Sequence, residues 1–334
     1  MLRISPLFGR LGASCAALAV VCTACTSERE GAAREPNVAT RHAPGNSIGS
    51  APVMAPPASA AQPVSNDPAH AFDPPAELRL PSALQPGERV PLLMVLHGFG
   101  VSSSLLIAKA GLNQVADRKK FAYLAPEGSR DAQGRPYWNA GKSCCDLEHH
   151  ETDDVKRLQE LLVANLGNPA IDPQRVFVIG YSNGGFMAQR LACQAGDRLA
   201  GVISIAGAAP SADVPCAQRS PLAFVEIHGD ADPVVHYAGG TVFDRTDVAP
   251  HASAPETAKY WAQQLSCSGE LKADRTLDLE PYVADRETTV QSYAGCRGSV
   301  ELWSVKGGGH YVALQPPALE AMWSYVQDHP KASL

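Results

Sequence analysis

The sequence has no excess of positive charge. Its 28 Lys and Arg are outnumbered by 34 Asp and Glu, a formal net charge of −6. No basic stripe with interleaved aromatics runs through it, and aromatics make up only 6% of residues. Nucleic acid is therefore not expected as a partner. No internal repeat is present, which argues against a solenoid or a propeller. Beyond position 25 no Cys-x-x-Cys occurs and the vicinal pair Cys144-Cys145 is a poor chelate, so no metal is expected. The apolar core at Ala16–Val21 is too short to span a bilayer. With Arg3 and Arg10 nearby, residues 1–24 read as an export signal.

That signal ends in Cys22-Thr23-Ala24-Cys25, which resembles the box before a lipidated cysteine, although an aliphatic residue is usual at position 22. Lipidation at Cys25 would anchor the chain to a surface; the alternative is an ordinary cleaved signal. Residues 25–75 follow, with nine prolines and eleven alanines and almost no large apolar side chains. Such a stretch buries too little surface to offset its ordering entropy, so a disordered Pro/Ala-rich linker is expected. Residues 76–334 suit one domain with a single sizeable core. Six cysteines remain there: Cys144, Cys145, Cys193, Cys216, Cys267 and Cys296. An even count in an exported chain reads as a disulfide framework. Cys267 and Cys296 flank one polar stretch and are expected to pair. Neighbouring residues rarely bond to each other. Cys144 and Cys145 are therefore expected to take Cys193 and Cys216, in an open order.

Strand candidates are continuous apolar runs, as in a parallel sheet buried on both faces. They are Val90–Leu96, Phe121–Ala125, Arg175–Ile179, Val202–Ile205, Leu222–Ile227 and Val300–Val305, with Glu77–Pro81 and Thr288–Tyr293 as weaker additions. Helical patterns alternate with them over Asp153–Leu166, Asn183–Ala195, Pro255–Leu265 and Ala318–Asp328. The alternation implies an α/β fold: a doubly wound, mostly parallel sheet covered by helices on both faces.

One turn in this pattern carries chemistry. Gly180-Tyr181-Ser182-Asn183-Gly184-Gly185 lies between a strand and a helix and reads G-x-S-x-G, the setting of a nucleophile elbow. Three more segments close apolar runs: Leu96-His97-Gly98-Phe99-Gly100, His228-Gly229-Asp230-Ala231-Asp232 and Gly307-Gly308-Gly309-His310. The order Ser182, Asp232, His310 is the triad order of α/β-hydrolases. A serine hydroxyl is a weak nucleophile and needs a base, here His310, which needs an orienting acid, here Asp232. Asp230 is the rival acid, and a plain turn aspartate is the alternative for either. His97 and His228 read as turn residues. The backbone N–H groups of Asn183 and Phe99 are expected to form the oxyanion hole.

These residues resemble a family: the secreted serine esterases grouped with polyhydroxybutyrate depolymerases, feruloyl esterases and acetylxylan esterases (carbohydrate esterase family 1), within the α/β-hydrolase superfamily. The resemblance spans roughly residues 76–329. It rests on the four segments above, on Trp138-Asn139-Ala140-Gly141 with Cys144-Cys145, and on Asp153-Asp154-Val155. It implies a Ser182–Asp232–His310 triad, no cofactor, and a substrate cleft bordered by Trp138, Tyr181 and Tyr311. Many relatives continue the last histidine as Thr-Trp-Pro-Gly; this chain has Tyr311-Val312-Ala313-Leu314, which leaves the substrate open. No polymer-binding module is expected beside the domain, which tilts the reading toward small or oligomeric esters. The implied function is a secreted or surface-tethered monomeric esterase acting through an acyl-enzyme. Its substrates would be feruloyl or acetyl esters of plant polysaccharide, or hydroxyalkanoate oligomers. A peptidase on the same fold and a non-catalytic surface lipoprotein are the competing readings.

Overall fold

The computed structural model describes residue 72 and residues 74–216, 220–283 and 285–329. The expected signal, Cys25 and nearly all of the linker lie outside the described residues. Among the described residues, ten strands and six α-helices follow in chain order. The strands are β1 (Val90–Leu96), β2 (Ala122–Leu124), β3 (Ser129–Arg130), β4 (Pro136–Tyr137), β5 (Ile171–Tyr181), β6 (Gly201–Ile205), β7 (Leu222–Gly229), β8 (Lys272–Leu277), β9 (Thr288–Tyr293) and β10 (Gly298–Val305). The helices are α1 (Ser103–Lys109), α2 (Leu112–Lys119), α3 (Asp154–Leu166), α4 (Asn183–Ala195), α5 (Ala254–Gln264) and α6 (Pro316–Asp328).

Eight strands form one sheet in the order β2-β1-β5-β6-β7-β10-β9-β8. The first six run parallel; β9 and β8 are antiparallel additions at one edge. Side chains along β1 alternate between the two faces. Leu92, Met94 and Leu96 join Leu158, Phe186, Leu191 and Trp261 of α3, α4 and α5. Leu93 and Val95 join Leu112, Leu319 and Trp323 of α2 and α6. Both faces are therefore covered, and the strand reads as an unbroken apolar run.

The helix starts are set locally. Asp153 caps α3 by accepting from the Lys156 N–H, and Ser253 with Glu256 forms a capping box on α5. The strand expected at Arg175–Ile179 extends back to Ile171. Ile171 pairs with Val90, then the register slips before Leu92 meets Val176. Pro173 lies in the slipped segment, where it has no N–H to give to the ladder. Glu77–Pro81 forms no strand; only Arg79 bridges to Tyr123.

The cysteines pair as Cys267–Cys296, Cys193–Cys216 and Cys144–Cys145. The second and third bridges correct the expectation that Cys144 and Cys145 would take Cys193 and Cys216. Cys193, at the end of α4, has the Cα of Cys216 only 4.3 Å away. Those two satisfy each other and leave the adjacent pair, which is joined by a cis peptide with Cα atoms 3.1 Å apart.

Candidate active site

Each candidate group leaves the carboxyl end of a parallel strand. β5 runs into α4 through a turn one residue long, and Ser182 occupies it at φ 54° and ψ −120°. A non-glycine residue rarely holds positive φ, and here the surrounding chain over-determines it. A Cβ on Gly180 would sit 1.9 Å from the Gly184 carbonyl oxygen, and one on Gly184 would sit 2.2 Å from that of Leu96. Only glycine permits this closeness.

Ser182 Oγ lies 2.9 Å from His310 Nε2. His310 Nδ1 lies 2.8 Å from Asp232 Oδ2. The other oxygen of Asp232 accepts from the N–H groups of Val234 and Val235 at 2.8 and 3.0 Å. All three side chains are buried or nearly so. Burial alone would raise the Asp232 carboxyl, but hydrogen bonds from His228 and His310 outweigh it and hold the group well below the usual carboxylate range. Asp230 points elsewhere and accepts from the Gly307 N–H at 2.6 Å. The structure thus brings Asp232, not Asp230, to His310.

Phe99 lies in the loop after β1, its ring edge-on to Phe243 at 6.2 Å with the Arg135 guanidinium 4.9 Å above it. The Asn183 N–H is the first amide of α4, where no intrahelical acceptor exists. The Asn183 side chain is engaged separately. Its Oδ1 accepts from the Trp138 N–H at 2.7 Å, and its Nδ2 donates to the Trp138 carbonyl at 2.8 Å. Tyr181 and Tyr311 flank His310, with ring centroids 5.3 and 5.7 Å from the imidazole. Tyr311 is 65% exposed and stands at the rim, whereas Tyr181 is buried, and burial pushes its phenol up. A cavity of about 220 Å³ opens beside Phe99, lined also by Arg135, Tyr137, Cys145, Leu147 and Arg245.

Trp138 is a correction. It was expected at the substrate cleft, but it is fully buried. Its indole N–H donates to the His97 carbonyl at 3.0 Å and its ring packs against His97 and Phe72. With its one polar atom satisfied, the rest of the side chain belongs in the core. It supports the Phe99 loop from behind. Asp154 holds the same segment, accepting from the Asn139 N–H at 2.8 Å and from the buried Arg157 guanidinium at 2.6 Å.

Sequence reasoning missed Glu226 and read His228 only as a turn residue. Glu226 is fully buried in β7 and lies 3.2 Å from His228 Nδ1. His228 Nε2 lies 3.5 Å from the same Asp232 oxygen that faces His310. The signal was available: a glutamate stands inside the otherwise apolar run Leu222–Ile227.

Comparison with known proteins bears on the fold. Residues 85–247 match the Phospholipase/Carboxylesterase family model. A solved acetyl xylan esterase from Aspergillus awamori superposes over 75% of this chain and 93% of its own, with a TM-score of 0.53 at 14% identity. With the sheet order and strand-end site, this settles the fold. The chain has the α/β-hydrolase fold. Among curated proteins, the chain is 32% identical to NocK of Nocardia uniformis subsp. tsuyamanensis, a protein named as an esterase, over 66% of this chain and 64% of that one. It is 28% identical to feruloyl esterase B of Piromyces equi over 70% of this chain and 42% of that one. The chain therefore spans less than two thirds of the length of either relative.

Proposed function

We propose that this protein is a serine carboxylic-ester hydrolase working through an acyl-enzyme. The observation that carries the reading is one line of contacts. Ser182, held at positive φ on a strand–helix elbow, lies 2.9 Å from His310 Nε2, and His310 Nδ1 lies 2.8 Å from Asp232. Ser182 Oγ attacks the ester carbonyl as His310 takes its proton. The N–H groups of Asn183 and Phe99 receive the negative charge that develops on the carbonyl oxygen. His310 then protonates the departing alcohol, and water repeats the sequence to free the acid.

The substrate classes that fit are feruloyl or acetyl esters of plant polysaccharide, or hydroxyalkanoate oligomers. The names of similar proteins favour the first class. The aromatic pair Phe99 and Phe243 beside the expected oxyanion loop, and Tyr311 beside His310, suit an aromatic acyl group. Three disulfides suit an exported protein, either lipid-anchored at Cys25 or free.

The test combines a fluorophosphonate with an ester panel. The probe is expected on Ser182 by peptide mapping and absent from Ser182→Ala. Methyl ferulate, acetylated xylan, hydroxybutyrate oligomers and p-nitrophenyl esters then rank the acyl groups. Failure of the wild type to take the probe would defeat the acyl-enzyme reading. Faster turnover of amides than of matched esters would move the reading to a peptidase.

A further inference from the structure

Behind Asp232 lies a second layer of buried polar groups that the reaction above does not use. Glu226 has no exposure and His228 has 1%. Their protonation states follow from which atoms can only donate or only accept. An indole N–H only donates. Trp261 Nε1 lies 2.7 Å from Gln189 Oε1, which fixes the orientation of that amide. Gln189 Nε2 then donates to Ser204 Oγ at 2.9 Å and to Glu226 Oε2 at 3.1 Å. The Gly207 N–H donates to Glu226 Oε1 at 3.2 Å. Both carboxyl oxygens of Glu226 thus receive donors, which suits a carboxylate and disfavours an acid, whose hydroxyl oxygen accepts poorly.

If Glu226 is a carboxylate, His228 Nδ1, 3.2 Å from it, must donate. His228 Nε2 faces the Val235 carbonyl at 2.7 Å and Asp232 Oδ2 at 3.5 Å, both acceptors, so it must donate too. An imidazole donating from both nitrogens is an imidazolium. We propose that His228 is a positioning residue for this site: a buried imidazolium clamped between Glu226 and Asp232 that fixes the carboxylate on which His310 is oriented.

The charges then alternate as Glu226, His228, Asp232 and His310, so the cation forming on His310 during turnover completes a neutral set of two pairs. Buried charges persist when paired and hydrogen-bonded in this way. Burial alone would push the His228 imidazole down, but its bonds to Asp232 and Glu226 raise it to about 9. Burial pushes the Glu226 carboxyl up, opposed by His228, Ser204 and the Gly207 N–H. The other groups around His228 bring no competing charge. Tyr237 is edge-on at 5.8 Å, bonded through its hydroxyl to Ser304 of β10, with its phenol pushed up by burial. Burial pushes His251 toward its neutral form.

The first test is nitrogen-15 NMR of the full chain with labelled histidine, assigned through His228→Gln and Glu226→Gln. Both His228 ring nitrogens should show imidazolium shifts from pH 6 to pH 8. In Glu226→Gln, which removes the partner carboxylate, His228 should lose its proton within that range. A neutral His228 in the wild type at pH 7 overturns the proposal.

The second test rests on the esterase reading and uses Glu226→Gln/His228→Gln, which removes one charge of each sign and leaves the net charge of the site unchanged. Of the two charges removed, the cation is the nearer to His310. The acid limb of kcat/KM on p-nitrophenyl acetate should therefore move to higher pH, by about half a unit. The kcat should fall about tenfold with KM nearly unchanged. An unmoved acid limb with a wild-type kcat overturns the positioning role. Because the NMR test needs no substrate, an inactive wild type would defeat the esterase reading and leave His228 to be decided by its proton.

Discussion

The six parallel strands and the antiparallel pair at one edge of the sheet serve different purposes. Phe99 follows β1, Ser182 follows β5, Asp232 follows β7 and His310 follows β10, all at parallel carboxyl ends. β8 and β9 supply none of these groups. Their edge is held from outside, by Cys267–Cys296 and by the paired contacts of Arg275 with Glu301 at 3.0 and 2.9 Å. All seven residues of β1 are buried, whereas five of the six in β8 are exposed. Parallel strands all start their turns on one side of the sheet, so loops from several of them converge on one point. β9 runs against the other strands and β8 returns along their direction, but neither supplies one of the four groups, and the pair widens the sheet.

The comparison predicts that damage at the strand ends abolishes activity while the edge tolerates change. Ser182→Ala should lower ester hydrolysis by about 10⁶-fold with an unchanged unfolding midpoint. Asp232→Asn should lower kcat by about 10⁴-fold, because His310 loses the acceptor that sets its tautomer. Asp230→Asn, two residues away, should stay within a few-fold, since its carboxylate meets the Gly307 N–H. Equal losses from the two aspartates, measured on one p-nitrophenyl ester, would break the assignment.

Glycines offer a second contrast. Gly180→Ala drives a methyl to 1.9 Å from a backbone oxygen that cannot move without dismantling the elbow. A loss of about 4 kcal/mol or more is expected, with poor soluble yield. Gly269→Ala, beside the antiparallel edge, brings its methyl 3.3 Å from Ala294 Cβ and should cost less than about 1 kcal/mol. Denaturant midpoints of the two variants decide this; a tolerated Gly180→Ala would mean that the turn relaxes.

The same contrast explains what could be read from the sequence. Strands buried on both faces have to be apolar throughout, so Val90–Leu96 was recognised with its bounds intact. Lys272–Leu277 was not, because a six-residue edge strand facing water resembles a polar loop. The short helices α1 and α2 carry few buried positions and were also missed. The four site motifs were legible because tight turns demand glycine at fixed offsets. The Cys144–Cys145 bridge and the burial of Trp138 were not, since each depends on what the loop meets in three dimensions. Glu226 was visible as an anomaly, but its partner His228 took its meaning only from the fold.

Opening the edge disulfide tests whether the edge is independent of the site. Its two cysteines are 29 residues apart. Cys267→Ser/Cys296→Ser should cost about 3–4 kcal/mol of stability in the chain-entropy model, while kcat/KM stays within about twofold. A fall in kcat/KM comparable with that of Asp232→Asn would show that the edge holds the catalytic loops after all.

The smallest effect belongs to the opposite edge, where Arg79 bridges β2 and binds Asp117 of α2. Both oxygens of Asp117 accept from the guanidinium, at 3.1 and 3.0 Å, and one also accepts from the Ser82 N–H at 2.9 Å. The Arg79 hydrogen bonds, then that from Ser82, hold the Asp117 carboxyl down at about 2. A carboxyl lowered by folding stabilises above its unfolded value of about 3.9 and loses that contribution as pH falls through its folded value. The pair is about one-third exposed and solvent-screened. Asp117→Asn should therefore cost less than about 1 kcal/mol at pH 7. The difference from wild type should narrow as the pH falls below 4, which urea unfolding at pH 7 and pH 3 would measure. A gap that stays constant across that range would mean that Asp117 acts through shape or hydrogen bonding rather than through its charge.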